Sequence, residues 1–228
     1  MSAPTLELDP ALDPCPVKPA LVWAEGLAAA PPAGGPPGTP SFLAEVLAGA
    51  RAAGEGFWPR GVRERVRAML RHGKYRPSGR AKPASEFLLR AALEGTFPAV
   101  NGPVDVNNAI SLASGLPGSI FDAELCGERL LVRRGLPGER YVFNQAGQVI
   151  ELEDLLLVCR RRGEGWEPCG NPVKDSMATK IRPGTRRVVG VLFAPADEPG
   201  PALLAWAERY AGLLGSHCGA GQTGCRVL

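Results

Sequence analysis

The sequence has few of the features that mark membrane or secreted proteins. Its apolar runs fall well short of the ~20 residues that a membrane-spanning helix needs. The N-terminus, MSAPTLELDPALDP, is acidic and broken by proline, whereas a secretory signal begins basic and continues apolar. The six cysteines form no CxxC pair and no regular framework, which predicts reduced thiols. These absences predict a cytoplasmic protein with no membrane partner.

Histidine is almost absent, and this limits the chemistry available. His72 lies in a basic stretch and His217 in the C-terminal tail, and the cysteines lack the spacing of a zinc site. No Gly-x-Ser-x-Gly elbow is present, and the tail motif GAGQTG has neither a P-loop lysine nor a helix after it. The sequence therefore predicts no metal site and no cofactor, and it identifies no catalytic residue.

The chain has enough apolar residues for a core, and its positive charge is concentrated in one segment. Hydrophobic residues make up 45% of the 228 positions, which supports one large domain or two small ones. Residues 1–59 carry two Lys/Arg against six Asp/Glu, residues 60–90 carry ten against two, and the remainder carries fourteen against fifteen. A segment of this kind is typical of an anion-binding face.

The basic segment begins with an amphipathic helix. In residues 61–72, GVRERVRAMLRH, apolar side chains recur on one face and arginines at four-residue spacing on another. Few acidic residues stand at i±4 to pair with them. An RNA-binding surface and an ordinary solvated face both fit this pattern. The candidate nucleic-acid contacts are Arg63, Arg67, Arg71, Lys74, Arg76 and Arg80.

Periodicity divides the chain into three parts. Residues 1–60 are predicted as an N-terminal extension packed on the main domain, with a short strand at 20–24, a flexible Pro/Gly loop at 28–40 and a helix from 41. Residues 61–200 form the main domain, and residues 201–228 a C-terminal helix and a mobile tail. The overall prediction is an α+β fold, with a strand-rich core flanked by helices, in a monomer.

Within the main domain, helical patterns come first and strand patterns follow. Helices are predicted at 61–72 and 85–93. Short alternating runs separated by Gly- and Pro-containing turns then predict strands at 129–133, 140–143, 148–152, 155–160 and 187–193. The strands need a helical cover, and we expect the preceding helices to supply it.

The stretch 104–122, VDVNNAISLASGLPGSIFD, joins the helical part to the strand part. Asp105 is predicted as the N-cap of a helix, because its carboxylate can accept from the free amides of the first turn. Apolar residues recur at helical spacing after it, and Gly115 followed by Pro117 ends the helix. We expect this helix to pack on the strands and Phe121 to be buried.

Polar residues in and after this stretch are the candidates for ligand binding. Asn107 and Asn108 on the helix, and Ser119 before the strands, could bind a ligand, face water or cap backbone. The run from 170 to 185 is rich in donors and acceptors, as in a ligand-facing loop or a plain polar connection. The candidates within this run are Lys174, Asp175, Ser176, Thr179 and Lys180.

Several of these motifs also carry a family resemblance. VDVNNA and GLPGSIFD, with GKYRPS at 73–78 and KDSMATKI at 174–181, resemble in order and spacing the B3/B4 domain of the phenylalanyl-tRNA synthetase β chain. Freestanding B3/B4 proteins are more similar still, and the resemblance spans 75–193. The resemblance implies an α+β fold and a pocket. In the synthetases this pocket hydrolyses the ester bond of tyrosine that is wrongly attached to phenylalanine tRNA.

The chain departs from the synthetase pattern where the acid–base groups stand. Asn107 and Ser119 occupy the positions of a threonine and a histidine, and Val191 stands about where an acidic residue lies. Three functions stay open: a binding module for tRNA or its aminoacylated 3′ end, a trans-editing hydrolase of mischarged aminoacyl-tRNA, and a small-ligand or protein-binding domain without RNA. The basic segment favours the first two, and the missing acid–base groups favour the first over the second.

Overall fold

The computed structural model describes residues 3–28 and 39–228. Residues 29–38, which make up most of the predicted flexible loop, lie outside the described residues. Within the described ranges, no helix combines the length and the apolar character needed to cross a membrane. The described chain mixes helices and sheets, and the predicted α+β class is confirmed.

Helices form where apolar residues recur every three or four positions. The predicted helices starting near 41, 61, 85 and 201 lie at or within two residues of their expected starts. The helices are, in chain order, α1 Ser41–Ala53, α2 Val62–Leu70, α3 Ala84–Glu94, α4 Gly102–Ser114, α5 Ala123–Cys126 and α6 Gly200–Cys218.

The strands form two four-stranded sheets and one two-stranded ribbon. They are β1 Thr5–Leu8, β2 Val17–Glu25, β3 Gly118–Asp122, β4 Arg129–Arg134, β5 Arg140–Val142, β6 Val149–Glu151, β7 Leu156–Arg162, β8 Gly165–Gly170, β9 Arg187–Pro195 and β10 Gln222–Val227. The first sheet has the order β1-β4-β7-β8, the second β10-β2-β9-β3, and β5 pairs with β6 in the ribbon. Strand β1 runs parallel to β4, and the other pairs are antiparallel.

Both ends of the chain contribute strands to the second sheet. Strand β2 pairs along its whole length with β9, from Val17 opposite Pro195 to Glu25 opposite Arg187. Strand β10 then pairs with the other edge of β2. The N-terminal part is therefore built into the sheet and is more than a packed extension.

The prediction of a mobile C-terminal tail is wrong for residues 222–227, which form β10. One glycine of this strand, Gly224, has a packing role. A Cβ atom at Gly224 would lie 2.3 Å from Cζ2 of Trp23 on the neighbouring strand. The absent side chain allows the indole to lie across β10 in the register that pairs the two strands.

Helix α4 packs against α1, α3 and α6 and against strands β3 and β9 of the second sheet. Its N-cap is Asn101, whose side chain accepts from the amide of Val104 at 3.1 Å, so the prediction of Asp105 as the cap is wrong. Asp105 lies in the first turn and accepts from the amide of Val100 instead. The helix ends as predicted at Gly115, in the left-handed region with φ 76°. Phe121, on β3, is fully buried as expected.

Candidate functional site

Asn107 projects from α4 into a buried polar cluster next to β3. Its Nδ2 donates to the carbonyl of Gly118 at 3.3 Å, and its Oδ1 accepts from the hydroxyl of Tyr210 on α6 at 2.9 Å. Both side chains are buried, and burial raises the pKa of Tyr210 well above its ordinary value, so the hydroxyl stays a donor. Asn108 is half-buried, and its Oδ1 accepts from the side-chain Nδ2 of Asn107 at 3.5 Å.

Asp175 reaches the same strand from the loop after β8. Its Oδ2 accepts from the amide of Ile120 at 3.2 Å, while its Oδ1 is buried and has no hydrogen-bond partner in the described chain. Burial raises the pKa of this carboxyl to about 6, although nearby Ser119, the Ile120 amide and the charge of Lys180 act in the opposite direction. The group therefore changes its protonation state around pH 6.

The structure thus brings three of the predicted binding residues together. Asn107 bonds to Gly118, the buried Ser119 follows, and Asp175 bonds to Ile120. Consecutive residues of a strand rise ~3.3 Å each, so these contacts lie within roughly 7 Å along β3. The polar cluster is defined here as Asn107, Ser119, Asp175 and Tyr210.

The other predicted residues of the 174–180 loop have different surroundings. Ser176 caps a short 3-10 turn by accepting from the amide of Ala178 at 3.2 Å, and Thr179 donates to the carbonyl of Cys169 at 3.2 Å. Both are buried, so their side chains serve the loop itself. Lys180 is half-buried and acts on Asp175 through its charge.

Lys174 points away from the polar cluster into an open cavity of about 690 Å³. Its Nζ lies 3.8 Å from the ring centroid of Phe143, and burial together with the charge of Arg80 lowers its pKa. Of the eight predicted substrate-binding residues, Lys174 alone lines this cavity. The single pocket expected from the sequence is therefore divided between a buried cluster and an open cavity.

Two residues that the sequence did not indicate hold the loop in place. Asn171 Oδ1 accepts from the amides of Val173 and Lys174 at 2.8 and 2.9 Å, and its Nδ2 donates to the hydroxyl of Tyr141. Tyr141 in turn donates to the carbonyl of Lys174 at 2.7 Å. These bonds fix the backbone at the point where the side chains of residues 174 and 175 diverge.

Asp122, the last residue of the GLPGSIFD motif, and Thr185 are joined by a hydrogen bond. Thr185 Oγ1 donates to Asp122 Oδ2 at 2.5 Å, and Asp122 Oδ1 accepts from the amide of Glu124 at the start of α5. The pair links the end of β3 to the turn before β9. These hydrogen bonds hold the backbone at the end of β3, the strand that carries Ser119 of the polar cluster.

The basic segment is less free than its sequence indicated, because acidic partners come from distant parts of the chain. Arg67 makes two hydrogen bonds, at 2.5 and 2.6 Å, to Glu86, whose side chain is only 8% exposed. Hydrogen bonding to Glu86 raises the pKa of Arg67. Arg63 pairs with Glu55 at 2.6 Å, but Glu55 is 71% exposed. Arg63 and Arg67 therefore have acidic partners, both of which lie outside i±4 in the sequence.

The remaining basic residues leave more of their charge available. Lys74 pairs with Glu153 at 2.9 Å, and Lys74 is 81% exposed. Arg76 donates to the carbonyls of Gly73 and Tyr75. Arg71 and Arg80 are exposed, and neither makes an ion pair with any residue that the structure describes.

Comparison with solved structures finds chains of similar fold. No family model matches the chain. The fold is similar to an N-terminal fragment of the phenylalanyl-tRNA synthetase beta-subunit from Pyrococcus horikoshii, with a TM-score of 0.51 and 10% sequence identity. The similarity covers 99% of this chain and 51% of that one, so this chain spans about half the length of the fragment. At this identity the likeness shows the mixed α+β fold alone.

Proposed function

We propose that this protein is a tRNA-binding module related to the B3/B4 domain of the phenylalanyl-tRNA synthetase β chain, which recognises the acceptor end of tRNA. The observation that carries the proposal is the fold, which matches a fragment of that subunit along 99% of this chain. The concentrated positive charge of residues 60–90 supports it, because a protein that contacts the RNA backbone must neutralise phosphates.

We assign the phosphate contacts to the basic residues whose charge is not neutralised by an ion pair within the protein. Arg71, Arg76 and Arg80 have no acidic partner in the described residues and are exposed, so they can approach a strand without breaking an existing pair. Arg63, paired with the exposed Glu55, and Lys74, itself exposed, can exchange these partners for phosphates, since ion pairs near the surface stabilise a fold by only ~0–1 kcal/mol. Arg67 is held by Glu86 and contributes least.

Binding at the acceptor end can be tested by comparing intact tRNA with tRNA shortened by a few nucleotides at its 3′ end. Fluorescence anisotropy at fixed salt should show weaker binding of the shortened tRNA. A duplex RNA of equal charge serves as the control for general attraction. Equal affinity for all three RNAs would contradict recognition of the acceptor end. It would indicate that the protein binds polyanions without regard to their structure.

A second candidate function, hydrolysis of mischarged aminoacyl-tRNA, is favoured by one observation. Asp175 is a buried carboxyl with an unbonded oxygen and a pKa raised to about 6, which suits a group that takes up and releases a proton near neutrality. If Asp175 acts this way, wild type should release amino acid from a panel of mischarged tRNAs. Asp175→Asn should lose that activity and keep tRNA affinity. Deacylation that persists in the variant would refute this role.

A further inference from the structure

The open cavity beside Lys174 has the composition of a ligand site, and it is separate from the polar cluster. It lies between residues 75–81, the β5–β6 ribbon and Lys174. Tyr75 and Phe143 contribute rings to its walls, and Val149 and Ile150 contribute aliphatic side chains. Its volume, about 690 Å³, falls within the range of small-molecule sites and far exceeds the size of a single inorganic ion.

Two cations face this cavity without a neutralising partner. Arg80 and Lys174 both line it, and neither forms an ion pair with any described residue. They lie close enough for the charge of Arg80 to add to burial in lowering the pKa of Lys174. Two like charges at one wall are unfavourable alone, and an anion bound between them would stabilise both.

One carboxylate, that of Glu151, also lines the cavity and sets its charge balance. Glu151 lies on β6, is exposed, and pairs with neither cation in the described chain. The lining residues therefore carry two positive charges against one negative charge. A negatively charged group is attracted toward the Arg80 and Lys174 side and repelled by Glu151, which gives a ligand a preferred orientation.

The remaining walls indicate what the anion is attached to. Val149 is 50% exposed on the ribbon, although large apolar side chains gain by leaving water. Together with Ile150 and Phe143 it offers an apolar surface beside the cations. We infer that the cavity binds a phosphate attached to a planar ring, a nucleoside monophosphate unit, either free or at the end of an RNA strand.

Calorimetry with adenosine monophosphate, adenosine and inorganic phosphate tests the inference on the intact chain. Adenosine monophosphate should bind at least about tenfold more tightly than adenosine, because a charge-assisted hydrogen bond contributes at least that much. It should also bind more tightly than inorganic phosphate, which has no apolar part to cover Val149 and Ile150. Lys174→Met should remove most of this advantage and retain the fold, because the bonds to Asn171 and Tyr141 use the Lys174 backbone. Arg90→Gln, at an exposed arginine outside the cavity, should have no effect.

Glu151 provides a test in which the expected change in affinity has the opposite sign. Glu151→Gln should strengthen adenosine monophosphate binding by up to about fivefold, since it removes a repelling charge. Affinity for the monophosphate that equals affinity for adenosine, or that is unchanged in Lys174→Met, would overturn the inference.

The source of the phosphate is distinguished by a five-nucleotide single-stranded RNA. Tighter binding of this RNA than of the monophosphate, with both weakened by Lys174→Met, identifies the end of an RNA strand. Binding of the monophosphate alone identifies a free nucleotide. The cavity shares Arg80 with the proposed tRNA phosphate contacts, whereas Lys174 is not among them. A site for a free nucleotide would therefore survive failure of the tRNA proposal, and Lys174→Met separates the two.

Discussion

Replacement of Asp175 by Asn should make the protein more stable at neutral pH. The carboxyl is buried, one oxygen has no partner, and burial raises its pKa from 3.8 to about 6. The pKa of Asp175 is higher in the folded state than in the unfolded state, so the folded state binds the proton more tightly. This proton binding contributes its full stabilisation below pH ~4, and the contribution is lost as the pH rises through 6. At 1.36 kcal/mol per pKa unit, the charged carboxylate costs ~3 kcal/mol of stability at pH 7.5.

The amide variant removes this charge and keeps the shape. Its oxygen can still accept from the Ile120 amide, while its NH2 takes the place of the unbonded Oδ1 and costs about 1 kcal/mol if it finds no acceptor. Asp175→Asn should therefore gain about 2 kcal/mol over wild type at pH 7.5 and nothing at pH 4. Urea denaturation followed by tryptophan fluorescence at several pH values measures this difference. Asp13→Asn, at an exposed carboxylate, should change stability by less than ~0.5 kcal/mol. A difference between Asp175→Asn and wild type that stays constant from pH 4 to 7.5 would refute the reasoning.

Three further predictions follow from buried or paired contacts, and each is measured by urea denaturation at pH 7.5. Tyr210→Phe leaves the buried Oδ1 of Asn107 without its donor and should cost ~1–3 kcal/mol; an unchanged midpoint would show that the oxygen finds another partner. Arg67→Gln removes both bonds to the largely buried Glu86 and should cost ~1–2 kcal/mol, whereas a cost near zero would class it with exposed pairs. Truncation after Gly221 deletes β10 and should cost ~2 kcal/mol or more, and an unaltered stability would contradict its role in the sheet.

Local pattern was enough to predict much of the fold. Helix α4 and its end at Gly115 follow from helical spacing and a glycine stop, and the burial of Phe121 follows from its place after the turn. Strand β8, GWEPCG, was missed because glycine and proline hide its alternation, although it pairs with β7. Strand β10 was missed because glycine there serves a contact with Trp23, from the opposite end of the sequence.

The candidate site depended on contacts between residues far apart in the chain. Asn107 and Asp175 could be selected from their polarity and from motif resemblance, but the tyrosine that bonds to Asn107 lies 103 residues away. The pairing of Arg67 with Glu86 was equally hidden, because helical spacing shows partners at i±4 and Glu86 lies on the next helix. Which charges remain free for a ligand is therefore decided by tertiary packing.

The central claim is that this protein binds tRNA through the exposed arginines of the basic segment, and the salt dependence of binding tests it most directly. The affinity for tRNA is measured by anisotropy between ~50 and 300 mM salt for wild type and for the variant with Gln at residues 71, 76 and 80. A matched variant carries Gln at three exposed arginines elsewhere, Arg129, Arg161 and Arg209. We predict a steep loss of affinity with salt for wild type and for the matched variant. For the variant at 71, 76 and 80, the log–log slope should be shallower by about two to three. No tRNA binding at ~50 mM salt, or equal slopes for all three proteins, would contradict the claim.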